Sequence, residues 1–141
     1  MIEILLVVAL GILASAIALP NLVTMNNTYR LSAGSSAVAS KVRQARTNAL
    51  KRNRPSWVVV DGTNRTVQVQ TVGAGGAVEN LGGPEFMPGG VAFGTGTATV
   101  TLTFDAMGRP LNAPQTIQVL YTGSGLSRTI TVTSTGRVTV S

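Results

Sequence analysis

MIEILLVVALGILASAIAL, running from Met1 to Leu19, carries a single charged side chain, Glu3. Wound as a helix at ~1.5 Å per residue, it covers roughly 28 Å, close to the hydrocarbon thickness of a bilayer. A helix that is apolar all round needs lipid or a bundle of other helices about it, because the rest of this chain is too small to enclose it. A cleaved export signal would place cations before the apolar run and a small-residue cleavage site behind it. Here the run opens on an acid and closes on Pro20-Asn21. The stretch therefore reads as a retained, membrane-spanning helix. Glu3 is costly in such a place unless its carboxylate reaches interfacial water or meets a cation. The plain reading is an end residue touching water. The sharper one is a partner supplied by another copy of the chain, such as a free α-amino group held at the same depth.

Pro20 removes a helix donor and clashes with the preceding turn, which predicts a kink there, with the helix resuming through NLVTMNN. From Leu31 onward, Leu31, Val38, Val42, Ala45 and Ala49 fall on one helix face, with the small pair Gly34 and Ser35 in the skipped turn. That face is narrow and small-sided. Asn53-Arg54-Pro55 ends the helix near Asn53, because the residue before a proline is pushed out of the helical region. Six of the 11 basic residues, Lys41, Arg43, Arg46, Lys51, Arg52 and Arg54, lie between 41 and 54 with no acid among them. This placement complements the helix macrodipole, and it equally describes an anion-binding surface.

Beyond Pro55 the period changes from helical to two. Ser56 to Val60 and Thr66 to Val72 flank the turn-forming Asp61-Gly62-Thr63-Asn64, which predicts a β-hairpin packed on the helix face. Val67 and Val69 alternate with Gln68 and Gln70, a strand with one wet face, whereas Trp57 to Val60 reads as buried on both. Residues 73–96 hold nine of the 16 glycines, with Pro84 and Pro88, and are expected to form a long surface loop with one short strand near Val91 to Phe93. Four more strands are expected at Thr97 to Phe104, Thr116 to Tyr121, Ser127 to Thr133 and Arg137 to Val140. Short strands joined by sharp turns after one long helix give an α+β fold with antiparallel sheets.

The 141 residues contain no Cys and no His, so disulfides, thiolate nucleophiles and the commonest general base and metal ligand are all missing. Eleven basic side chains against five acidic ones give a net charge of +6, which favours anionic partners without choosing among them. Of the acids beyond Glu3, Asp61 and Asp105 fall in turns, and Glu79 and Glu85 fall in the glycine-rich loop. Only the last two are placed to meet, so a calcium site there is the one metal reading open, against the ordinary reading of solvated loop acids. The glycine pairs Gly75-Gly76 and Gly82-Gly83 do not open a helix behind a strand and make a poor phosphate cradle. No enzyme, metal or cofactor is expected.

Met1 to Val8, through Ala18-Leu19-Pro20, resembles the N-terminal segment of type IV pilins and pseudopilins, in which an apolar residue, Ile and Glu open an apolar helix with a proline spaced as Pro20 is from Glu3. The Phe and small polar residue that begin that family's mature chain are absent here, so the sequence is expected to start two residues inside it, with the prepilin peptidase site upstream. Ala45-Arg46, Asn48 to Pro55, Phe104 to Pro110 and Ser134 to Val138 resemble the GspH/FimT branch, leaving 73–96 unmatched.

The resemblance implies a pilin-like fold with three parts. Residues 1–20 are the transmembrane and polymerisation half of the helix, 21–54 its amphipathic half, and 55–141 a β-sandwich-like globular domain. It implies a minor subunit of a type IV pilus or type II secretion pseudopilus, held in the inner membrane with the globular domain in the periplasm. The subunit is then drawn into a periplasmic pseudopilus or an extracellular pilus beside copies of itself or other pilins. Glu3 would neutralise a neighbour's N-terminal amine, and Gly11 and Pro20 would let the helix bend or melt as subunits pack. Two alternatives stand beside this. One is a main filament-forming pilin. The other is a FimT-like subunit that binds DNA for uptake through Arg109, Arg128 and Arg137, although the family's second basic-motif arginine is replaced by Thr139.

Overall fold

The computed structural model describes residues 2–94 and 98–141, apart from the side chains of Ala14 and of residues 16–20. One helix, α1 (Ile2–Arg52), leads into nine strands among the described residues. They are β1 (Ser56–Asp61), β2 (Thr66–Val72), β3 (Val78–Asn80), β4 (Glu85–Phe86), β5 (Val91–Phe93), β6 (Thr99–Phe104), β7 (Gln115–Tyr121), β8 (Ser127–Val132) and β9 (Val138–Val140). The class is α+β with antiparallel sheets, as the change of period predicts.

Proline 20 does not divide α1, which is a single helical element on both sides of it. The helix ends where the sequence places its end. Asn53 takes a left-handed φ of 49°, and the amide of Arg54 donates to the carbonyl of Ala49 at 3.2 Å, a closing bond that satisfies an orphan carbonyl before Pro55 turns the chain away.

Two sheets pack on the second half of α1. The first has the order β3-β2-β1-β6, with β4 also on the outer edge of β2; the second runs β5-β7-β8-β9. The predicted hairpin is in register, with Ser56 opposite Thr71 and Asp61 opposite Thr66. Inward-facing Val58, Val60, Val67, Val69, Leu102 and Phe104 of the first sheet meet Val91, Phe93, Ile117, Val119, Ile130 and Val132 of the second. Between them lies the helix stripe of Leu31, Val38, Val42, Ala45 and Ala49. Gly34 and Ser35 are buried with it. A Cβ on Gly34 would stand 3.0 Å from Val91 Cγ1, so the bare backbone there sets how closely β5 approaches the helix. The buried hydroxyls are satisfied: Ser35 donates to the Ser32 carbonyl, Ser56 to Gln70 and Thr71 to Pro55.

Two sequence expectations need correction. Residues 73–96 are more than a loop, because β3 and β4 lie within them and pair with β2. The outer edge of β2 would otherwise leave a row of unpaired amides and carbonyls, and short segments between glycines are enough to cover it. The outward side chains of β1, Trp57 and Val59, are only half-buried, since β1 gains neighbours within its sheet but nothing covers its outer face. Among the described residues no helix is long and apolar enough to cross a membrane. The predicted span includes Met1 and the side chains of Ala14 and residues 16–20, which lie outside the described residues, as does Thr97 at the start of the strand predicted over Thr97 to Phe104.

Candidate functional site

Two regions carry the chemistry. The first is the start of α1, where Ile2, Ile4, Leu5, Leu6, Val7, Val8, Leu10, Ile12 and Leu13 are all 53% exposed or more. Apolar side chains on every side of a helix, with no core beneath them, have no stable place in water. Glu3 lies in the first turn and is exposed. Gly11 is exposed too, and a Cβ there would touch nothing; its carbonyl accepts the Ser15 hydroxyl at 2.8 Å. The Pro20 ring lies outside the described side chains.

The second region is a groove at the other end of α1, lined by Arg43, Arg46, Thr47, Leu50, Gly136, Arg137 and Val138. Two tight turns dock on the helix here. In the turn before Pro110, the Asp105 carboxylate accepts the amides of Met107 and Arg109 at 2.9 and 2.7 Å. Gly108 there has φ 69°, and its Cα faces Leu50 so closely that a Cβ would come within 2.9 Å of Cγ. In the turn between β8 and β9, the Thr133 hydroxyl oxygen accepts the Arg137 amide at 3.2 Å. Gly136 there has φ 76°, and Arg46 Nη1 donates to its carbonyl at 2.9 Å. The sequence motifs Phe104 to Pro110 and Ser134 to Val138 are thus two glycine turns seated on helix residues one turn apart.

The Arg46 guanidinium lies over Gly136, since a Cβ there would be 3.1 Å from both Nε and Cζ. Its Nε is buried with no hydrogen-bond partner. Arg43 and Arg137 are exposed beside it, and neither makes an ion pair among the described residues. Two other cations of the basic run are spoken for: Lys41 Nζ lies 3.3 Å from Glu85, and Arg52 Nη1 lies 2.9 Å from Glu79. This also places the two loop acids. Each is drawn to a helix cation, and positions 41 and 52 are about 16 Å apart along the helix at ~1.5 Å per residue, so the carboxylates do not converge.

Arg137 and Arg109 lie in the two turns on the helix end. Arg128 does not join them. Arg137 is bonded through its carbonyl to Thr133, just past the end of β8, while Arg128 is near the start of that strand. At ~3.3 Å per residue the separation is about 16 Å. What sequence reading missed is Arg43 and Arg46 as companions of Arg137. The basic run and the terminal motif are each visible in one dimension, but nothing in the sequence joins position 46 to position 136.

The family described as "Type II transport protein GspH" matches residues 35–136, which take in the buried helix stripe from Val38 onward, both sheets but for β9, and the groove's glycine. A search of curated protein sequences finds no match. Among solved structures, the minor pseudopilin EpsH of the Vibrio cholerae type 2 secretion system superimposes with a TM-score of 0.65 at 12% identity, over 79% of this chain and 96% of that one. The Pseudomonas aeruginosa type IV minor pilin FimU does so with a TM-score of 0.62 at 16% identity, over 83% and 92%. At such identities the likeness is one of fold.

Proposed function

From the premise that this chain belongs to the GspH family of type II transport proteins, we propose that it is a minor subunit of a type II secretion pseudopilus or type IV pilus, assembled from the inner membrane through α1. The observation that carries this reading is the exposed apolar surface of residues 2–13. Such a surface calls for lipid before assembly and for a bundle of like helices after it, and both are low-dielectric surroundings. Residues 1–20 act as anchor and then as filament core, residues 21–54 carry the globular domain, and residues 55–141 face outward.

Glu3 sets the register. A carboxylate in an apolar bundle is penalised unless a neighbour's amine neutralises it, so a misplaced subunit is rejected. Gly11 and Pro20 supply the weak points at which the helix adapts. The DNA-uptake alternative draws no support from the spacing of Arg109, Arg128 and Arg137, and the main-subunit alternative none from the likeness to EpsH, a minor pseudopilin, and FimU, a minor pilin.

The test is Glu3→Ala in the full-length gene in the native host, with membrane and sheared-filament fractions compared by immunoblot. Loss from filaments with membrane levels intact is expected. Unchanged incorporation overturns the docking role of Glu3.

A further inference from the structure

We propose that the groove between the end of α1 and the β8–β9 turn receives a carboxylate side chain from a different pilin-type subunit, so that this face of the chain docks on a partner and not on its own copies. The proposal rests on the reading of the chain as a filament subunit.

Three features of the groove define the ligand. Arg46 is fixed by its bond to the Gly136 carbonyl and by the bare Cα beneath it, so its charge is held in place before any ligand arrives. Arg43 and Arg137 stand exposed at the mouth with no acid paired to them among the described residues, while Lys41 and Arg52 nearby are paired with acids. Guanidinium groups held in this way match the planar fork of a carboxylate. The lip is apolar, with Leu50 52% exposed and Val138 beside it. Arginine set among aliphatic side chains is the composition of a protein interface. A nucleic acid would need cations continued along a track of phosphates. Here the outward positions Thr131 and Thr139, paired across β8 and β9, are uncharged, and Arg128 lies at the far end of the strand.

The chain's own acids say which subunit supplies the carboxylate. Of its five, Glu79 and Glu85 are paired with helix cations. Asp61 accepts the amides of Thr63 and Asn64, and Asp105 those of Met107 and Arg109. Glu3 belongs to the apolar helix. Among the described residues each side-chain carboxylate of the globular domain already has a partner within the chain, so a second copy would have to give up a contact to fill the groove, and charge complementarity favours a different chain.

The experiment uses the full-length chain in its native host with Thr47, exposed on the lip, replaced by photoreactive p-benzoylphenylalanine. Cells are irradiated, filaments sheared, and the adduct's attachment peptide sequenced by mass spectrometry. The expected result is an adduct to another pilin-type chain at a peptide containing Asp or Glu. Its yield should fall at least tenfold with Arg43→Glu and Arg137→Glu together, and recover when that acid is changed to Arg. An adduct to a second copy, an adduct destroyed by nuclease, a yield indifferent to the charge reversals, or no adduct from chains present in the filament fraction each overturns the proposal. Absence of the unsubstituted chain from that fraction instead defeats the subunit reading itself, so the two failures are distinguishable.

Discussion

Arg46 and Gly136, 90 positions apart in sequence, are joined by a hydrogen bond of 2.9 Å from Nη1 to the glycine carbonyl. The arginine side chain lies against the space that a Cβ on Gly136 would fill. At the other end of the buried stripe, Arg30 Nη1 donates to the Gly89 carbonyl at 3.3 Å. The packed half of the helix is thus held at both ends by an arginine on a glycine carbonyl.

Gly136→Val should be costly for two reasons. A left-handed φ of 76° is unfavourable for a β-branched residue, and its Cβ would meet the guanidinium at 3.1 Å. A loss of about 1–3 kcal/mol is expected, read as a lowered urea midpoint for the detergent-solubilised chain.

Gly108 and Leu50 should be coupled. Gly108→Ala introduces both a strained φ of 69° and a contact at 2.9 Å with Leu50, for a cost of about 1–3 kcal/mol. With Leu50→Ala in the background the contact disappears and only the backbone strain remains. A double-mutant cycle should therefore give an interaction energy of roughly 0.5 kcal/mol or more, and additivity would show that Leu50 yields freely.

Acid should weaken the β1–β2 turn. Hydrogen bonds from the Asn64 amide and side chain, and from the Thr63 amide, hold the Asp61 carboxyl below its ordinary value of 3.8. The folded state then favours the ionised form more than the unfolded chain does. The stabilisation is complete above the ordinary carboxylate range and is lost as pH falls through the lower folded value. Asp61→Asn should flatten this part of the acid limb in urea midpoints measured between about pH 7 and pH 2, a range that brackets the carboxylate values. A limb identical in the variant would remove Asp61 as its source.

The ion pairs of Glu79 and Glu85 should matter locally and little to global stability. Both acids are well exposed, at 53% and 44% of their side chains, so Glu85→Gln should cost less than about 1 kcal/mol. Amide exchange in β3 and β4 should nevertheless quicken, because these short strands hold on to one edge of β2 and few other contacts restrain them. Unchanged exchange there would mean that strand pairing alone fixes the segment.

Much of the architecture was legible before any coordinate. The stripe from Leu31 to Ala49, the end of the helix at Asn53, the hairpin around Asp61 and the order of the later strands all follow from periodicity and turn chemistry, which act over a few residues. The strands within 73–96 are not legible in this way, for the opposite reason. Its glycines and prolines disfavour regular structure locally, and only the unpaired edge of β2 makes short strands worthwhile there.

By itself the sequence determined the apolar start of α1, its single carboxylate Glu3, the buried face of its second half and the α+β succession, because each is written in neighbouring side chains. Only the tertiary structure decided which cations stand together. It set Lys41 and Arg52 against the loop acids, left Arg128 at the far end of β8, and brought Arg43 and Arg46 to Arg137. Those meetings depend on how two sheets close over one helix, and closure is fixed by the packing of the whole core, to which no local pattern has access.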